Sequence, residues 1–367
     1  MRSRGSRSAI IAVLLLGALI FGGVYYAWNT TTDIFQPVAP NGSSKTIRIV
    51  IQPGETTSQI ADDLETKGLI RNALAFRIWA RIKGLDTHLQ AGGYTKLNTS
   101  MTISQIIDQL LTGQPDELPG VTIPEGWRIE QIAQRISTIG LVKFNVKDFL
   151  TYTKNPTQFP DAAKYPILKS IPEGDGMEGL LFPDTYSFPI DADTQQVVNM
   201  MLTKFTNVVQ QNHLEAQAKA HNLNLYQMII LASIVERESR FDQDRPLVAS
   251  VYWNRVLRPN DETVGLLQAD PTVQYARDSE PGITKYWAPL QNIDPNTTPD
   301  SPWNTYKYKG WPPTPICSPG LLSLQAAAAP TKTDYYFFYA RKSDLHNVYA
   351  KTQAEFLQDQ QKDPPGS

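Results

Sequence analysis

Cysteine is nearly absent from this 367-residue chain, with Cys317 its one thiol. A single cysteine excludes an internal disulfide and any CxxC zinc site. Histidine is scarce too, and His88, His213, His221 and His346 show no HxxxH spacing. The donor set of a metalloenzyme is therefore missing, and neither a metal nor another cofactor is expected. Charge is also in short supply. Asp, Glu, Lys and Arg make up 19% of the residues and the net charge is −2, so nothing in the charge balance points to a nucleic-acid partner. What is present is apolar: 41% hydrophobic residues over this length can bury a sizeable core, in two or three domains.

The N-terminus holds the longest apolar run. Ala9 to Trp28 reads AIIAVLLLGALIFGGVYYAW, twenty residues without a charge, enough at helical rise to cross a bilayer core of about 30 Å. Arg2, Arg4 and Arg7 precede it and TTTD follows, so the positive-inside rule puts residues 1–8 in the cytoplasm and the rest of the chain outside. The run ends in interface aromatics (Tyr25, Tyr26, Trp28) and lacks an A-x-A cleavage site, which favours an uncleaved single-pass anchor in the plasma membrane over a cleaved signal peptide. Residues 29–45, with two prolines, a glycine and two serines in DIFQPVAPNGSSK, read as a linker.

A repeat follows. IQPGETTSQIADDLETKGLI from Ile51 and IPEGWRIEQIAQRISTIGLV from Ile123 superpose at an offset of 72 residues, bringing Gln59 over Gln131, Ile60 over Ile132, Ala61 over Ala133 and Gly68 over Gly140. Each copy predicts a short strand, a Gly-containing turn and an amphipathic helix of about ten residues closed by its glycine. Strand–helix modules of this kind resemble LysM domains, which bind glycan chains; plain packing units are the alternative. Residues 46–117 form the first LysM-like domain and 118–190 a second repeat leading into residues 191–360; 361–367 read as a disordered tail.

In the second half, Met228 to Val235 is apolar except for Ser233 and runs straight into Glu236 and Glu238. So apolar a stretch predicts a buried helix from Tyr226 to about Arg240, with a carboxylate at its end that is only partly solvated. A second helix is expected over Pro246 to Leu257, with Pro246 in its first turn. Tyr335 to Tyr339 and LHNVYAKT read as paired strands, and the loops are rich in Trp, Tyr, Asn and Pro. The fold class is α+β.

VTIPEGW (Val121 to Trp127), EGLLFPDTY (Glu178 to Tyr186), LASIVERES, LQADPTVQY (Leu267 to Tyr275), NTY followed by GWPPTPICSPG, and LHNVYAKT occur in this order. Together they resemble the endolytic murein transglycosylases, the MltG or YceG-like family, from the anchor to about Phe356. The resemblance implies a membrane-anchored enzyme that cuts nascent peptidoglycan glycan strands, with the Glu of LASIVE, here Glu236, catalytic. It further implies bacterial cell-wall biogenesis and, as expected partners, glycan strands and peptidoglycan synthases. The loops before LQADPT and over Ala276 to Pro299 look elaborated relative to the family, which leaves the groove rim open.

Glycosidic cleavage needs a proton donor for the leaving oxygen and a way to quench an oxocarbenium-like carbon. A lytic transglycosylase manages with one carboxyl group: it protonates the leaving oxygen, then takes the proton of the sugar's own C6 hydroxyl, which closes a 1,6-anhydro ring at the MurNAc end. Burial at a helix end would raise the Glu236 pKa, whereas Arg237 or Arg240 would lower it; pairing with Arg240 one turn on is the bland alternative. Glu238 lies about 200° round the helix, a positioning or structural residue. Gln268, Asp270 and Thr272, and likewise Asn304 and Tyr306, are candidates to line the groove, against turn-capping roles. Glu178, Asp184 and Tyr186 complete the candidate substrate-binding set. Two other readings stand beside the lyase: a muramidase, for which Glu178 or Asp184 would be the second carboxylate, and a non-catalytic wall-binding assembly protein.

Overall fold

A computed structural model describes residues 34–40, 44–51, 55–84, 92–112, 120–290, 294 and 299–366. The apolar run at 9–28 lies outside these, and no helix among the described residues is long and apolar enough to cross a membrane. The chain forms two compact units, one of residues 1–118 with 189–191, the other of 119–188 with 192–367.

In the first unit β1 (Ile49–Ile51) is followed by α1 (Thr57–Thr66), α2 (Ala73–Ile82), β2 (Gly92–Tyr94) and α3 (Ile103–Thr112). β1 and β2 pair antiparallel, Ile49 opposite Tyr94. Thr56 starts α1 with a capping box, its Oγ1 accepting from the Gln59 N–H while Gln59 Oε1 accepts from the Thr56 N–H. Ile60, Ala61 and Leu64 then turn one face of the helix into a core shared with Phe76, Ile106 and Leu110. Part of the segment read as a linker is structured: Ile34 and Phe35 pack on this core, and the Ala39 N–H donates to Thr99 O at 2.8 Å.

The second unit contains β3 (Val121–Thr122), α4 (Ile129–Ser137), α5 (Val146–Lys154), β4 (Thr185–Tyr186), α6 (Thr194–Gln211), α7 (Leu214–Ala220), α8 (Leu225–Glu238), α9 (Arg245–Leu257), α10 (Asp270–Asp278), α11 (Leu321–Ala328), β5 (Phe337–Ala340), β6 (Asn347–Ala350) and α12 (Gln353–Lys362). β3 pairs with β4 and β5 with β6, both antiparallel, so this is an α+β fold of short two-stranded sheets on a helical core. The repeat keeps its local grammar in α4: Gln131 Oε1 accepts from the Arg128 N–H as Gln59 does from Thr56, and Gly140 (φ +84°), like Gly68 (φ +70°), adopts the left-handed conformation that closes a helix.

Residues Met228–Val235 of α8 are wholly buried and form the centre of the core with α9 and α11. Ser233, the polar exception, is satisfied internally: its hydroxyl donates to Ile230 O at 2.8 Å and accepts from the Ile316 N–H at 3.0 Å. That second bond lays residues 316–320 along α8, and Ser318 in turn joins the 126–127 segment through two backbone bonds of 2.8 Å, its N–H donating to Trp127 O and its carbonyl accepting from the Gly126 N–H. Two loops from distant parts of the sequence therefore converge on the C-terminal turn of α8. The tail expected to be disordered instead completes α12 and returns to the β5–β6 hairpin, where the Gly366 N–H donates to Ala340 O at 2.8 Å.

Candidate active site

The α8 helix ends where Ser239 turns extended, and Glu236 in its last turn points at the start of α11. Its Oε2 accepts from the Gly320 N–H at 3.0 Å and from Ser323 Oγ at 2.7 Å. Gly320 is the N-cap of α11 and Ser323 its third residue, so the carboxylate occupies the place where a helix N-terminus favours negative charge. On the other oxygen, Arg245 Nη1 lies 3.3 Å from Oε1. Both side chains are more than nine-tenths buried. Arg245 opens α9 and is itself oriented by Asp242 at 3.2 Å and by Ser323 Oγ at 2.6 Å. These are the partners of an anionic carboxylate.

Arg245, rather than Arg240 one turn on, is thus the cation at Glu236. Arg240 is exposed, and Arg237 lies over the Trp287 ring at 4.2 Å.

A second carboxylate stands beside the first. A Cβ built on Gly320 would lie 1.9 Å from Glu125 Oε1, and one on Gly126 would lie 3.7 Å from Glu236 Cγ. The Pro124–Gly126 turn therefore lies directly against the Glu236–Gly320 contact; at Gly320 a side chain would fill that space, and at Gly126 a φ of +75° calls for glycine. Burial first, then the Glu236 charge and that of Asp242, push the Glu125 carboxyl above its usual range, against an opposing pull from Arg245. Glu125 stands in the VTIPEGW segment, yet nothing local to that segment marks it; only the glycine after it, bound to an unusual backbone (φ +75°), hints at a close approach.

Glu238 faces another way. Its Oε1 accepts from Tyr252 Oη at 2.8 Å; burial, then the Tyr252 bond, the Asp270 charge and the neighbouring arginines set its pKa, and burial prevails, raising it to about 7. Asp270 at the start of α10 accepts from Tyr306 Oη at 2.7 Å. These side chains form a polar patch on the flank of α8.

The remaining candidates are held by the fold. Thr272 is buried, its hydroxyl shared between Ala269 O and Thr305 Oγ1, both at 2.8 Å. Asn304 is buried and ties a turn, donating to Pro299 O at 3.0 Å and accepting from the Tyr306 N–H at 3.1 Å. Gln268 takes a left-handed φ of +52° and donates its N–H to Thr305 O at 3.1 Å. Tyr186 is buried, donating to Phe182 O at 2.5 Å and stacked on Phe188. Asp184 accepts from the Thr185 N–H at 2.8 Å and pairs with Lys204 at 2.6 Å.

Glu178 has a different task. In the first repeat a threonine caps the helix; in the second, Arg128 stands at that position and offers no acceptor. The Glu178 carboxylate supplies one from outside, accepting from the Ile129 N–H at 3.2 Å. It lies at a cavity of about 430 Å³ that Arg128, Tyr275, Tyr286, Trp303 and Thr314 also line. Burial, reinforced by the Glu130 charge, pushes it up to about 8. Neither Glu178 nor Asp184 bonds to the Glu236 cluster; the carboxylate that adjoins Glu236 is Glu125.

The profile of the YceG-like family matches residues 49–362. A protein of Streptococcus pneumoniae serotype 2 named endolytic murein transglycosylase is 30% identical over 367 residues, covering 95% of this chain and 64% of its own length. The chain thus spans just under two thirds of that relative. A Bacillus subtilis protein of the same name is 32% identical over 347 residues, covering 92% of this chain and 89% of its own. The crystal structure of a YceG-like protein from Listeria monocytogenes superposes with a TM-score of 0.54 at 30% identity, over 86% of this chain and 99% of that one. With the buried helix, its terminal carboxylate and the loops around it all inside the matched span, this chain belongs to the YceG-like family.

Proposed function

We propose that this protein is a lytic transglycosylase that cleaves the MurNAc–GlcNAc bond of peptidoglycan strands and leaves 1,6-anhydroMurNAc ends. The observation that carries the reading is Glu236 itself: a carboxylate directly after the buried run Met228–Val235, held by Gly320, Ser323 and Arg245 beside the exposed Pro124 and Glu125. Orientation of this kind is what converts the sugar's C6 hydroxyl into an intramolecular nucleophile, with no water or covalent enzyme intermediate required. The relatives named endolytic murein transglycosylase support the same chemistry. Endolytic cutting comes from those names alone.

The apolar run at 9–28, with its preceding arginines, supports a single-pass anchor that would hold the enzyme where new strands emerge beside their synthases. There it would terminate strand elongation, and depletion should lengthen the glycan chains. The strand–helix order of residues 46–117 supports the LysM-like reading of that segment.

The test is mass spectrometry of the products formed when the full chain, in detergent, is incubated with uncrosslinked strands. Ends bearing 1,6-anhydroMurNAc from wild type but not from Glu236→Gln are expected. Water-added reducing ends would make the protein a muramidase, and intact strands with both proteins would leave it a wall-binding protein.

A further inference from the structure

We infer that Glu125 is a second catalytic carboxyl group, the one that protonates the leaving oxygen, while Glu236 receives the proton of the C6 hydroxyl. The inference rests on the transglycosylase reading and divides between two residues the double role a single carboxyl would otherwise play.

The hydrogen-bonding state of Glu236 motivates the division. Both acceptor positions of its Oε2 are engaged by donors, and its Oε1 faces a buried guanidinium. A proton on Oε2 would break one of two hydrogen bonds; a proton on Oε1 would sit against the Arg245 charge. Such a group is well made to stabilise positive charge at C1 and to accept a proton late, and poorly made to start the cycle as the acid. Glu125 is built the other way. Among the described residues no ion pair or hydrogen bond holds its carboxyl group. Burial and the charges of the acids Glu236 and Asp242 push its carboxyl above the usual range against the pull of Arg245, while Arg237 Nη1 approaches the adjoining Gly126.

Geometry makes the pair usable. The Glu125 oxygen lies on Gly320, whose N–H holds Glu236, which keeps the nearest oxygens of the two groups within about 7.5 Å of each other. In a 1,6-anhydro closure the leaving oxygen and the attacking C6 hydroxyl lie on the same face of the MurNAc ring. The acid and the base must therefore stand side by side, as these two do on either side of Gly320, and not across the ring as in an inverting hydrolase. Glu125 also belongs to an exposed turn, so a strand can reach it.

The step balances. The Glu125 proton passes to the glycosidic oxygen as the C1–O bond breaks, and the freed GlcNAc leaves as an alcohol. The C6 oxygen forms its bond to C1 as its proton passes to Glu236. Proton transfer from Glu236 back to Glu125, directly or through water, resets the site without oxidant, metal or covalent intermediate.

Leaving-group dependence tests this. The full chain and its Glu125→Gln, Glu125→Asp and Glu236→Gln variants are assayed on uncrosslinked strands and on an oligosaccharide whose MurNAc carries a p-nitrophenyl aglycone, which departs without protonation. Glu125→Gln should lose about 100-fold or more on strands yet remain within about 10-fold of wild type on the aryl glycoside, with Glu125→Asp between; Glu236→Gln should lose both activities. Equal losses on the two substrates, or no loss on strands, would overturn the inference, and thermal unfolding of each variant excludes misfolding as the cause. Product analysis separates the two readings. Water-added ends with the same aryl selectivity would remove the lyase and leave Glu125 as the acid. Anhydro ends without the selectivity would keep the lyase and remove Glu125.

Discussion

Arg245 Nη1 lies 3.3 Å from Glu236 Oε1, and both side chains are more than nine-tenths buried. Arg245 is the first residue of α9 and Glu236 stands in the last turn of α8, so one ion pair ties the end of one helix to the start of the next. Desolvating both charges offsets much of their attraction; the pair matters for what its rupture costs.

Replacing Arg245 by Met should therefore destabilise the protein by about 3 kcal/mol, because Glu236 is left buried with only its two neutral donors. The double variant with Glu236→Gln should recover part of that loss. Urea denaturation of the four proteins of the cycle measures the coupling, and strictly additive losses would show that the pair is energetically idle.

Glu236→Gln alone should abolish cleavage while leaving the fold nearly intact. The amide oxygen can still accept from Gly320 and Ser323, and Arg245 keeps Asp242 at 3.2 Å. Product analysis together with a melting curve checks both halves; loss of activity accompanied by unfolding would deprive the result of meaning for catalysis.

Gly320→Ala should damage activity far more than its size suggests. The φ of −76° suits alanine, but the added methyl would lie 1.9 Å from the Glu125 carboxylate. Displacement of Glu125 should lower turnover by about 10-fold or more, measured at saturating strand concentration, with the α11 helix still formed.

Glu178 predicts a pH dependence of stability. Its carboxyl rises from 4.5 in the unfolded chain to about 8 in the fold, so the native state binds its proton more tightly. Its contribution is fully present below the unfolded pKa, declines as pH rises from about 4.5 to about 8, and is then lost, amounting to at most about 5 kcal/mol. Glu178→Gln keeps an acceptor for the Ile129 N–H and cannot ionise. The variant should overtake wild type in stability across that window, and parallel denaturation curves from pH 5 to pH 8.5 would refute this.

Asn304→Ala should act on stability and not on substrate binding. Two hydrogen bonds of a fully buried side chain vanish and leave the Tyr306 N–H without its acceptor, a cost of about 2 kcal/mol. A changed KM with unchanged melting temperature would return Asn304 to the groove.

Much of this molecule was legible in its amino-acid order because much of it is governed by local rules. Gln59 and Gln131 cap helices from three residues away, Gly68 and Gly140 close them through a conformation other residues avoid, and the unbroken apolar run from Met228 to Val235 requires burial on every face. The family motifs located Glu236 in the same way, as a residue in a string. Which groups surround it was a matter of packing between segments remote in sequence. Ser323 reaches Glu236 from 87 residues away. Glu178 replaces a missing cap from 49 residues away, and Glu125 arrives because Trp127 and Ser318 bridge two loops. Helical periodicity favoured Arg240 as the partner of Glu236, but the chain turns at Ser239 before that register can be completed. Sequence determined the elements and singled out Glu236 as the candidate. Tertiary structure decided its neighbours, since hydrogen bonds and ion pairs between distant segments form only once the hydrophobic core has set the loops side by side.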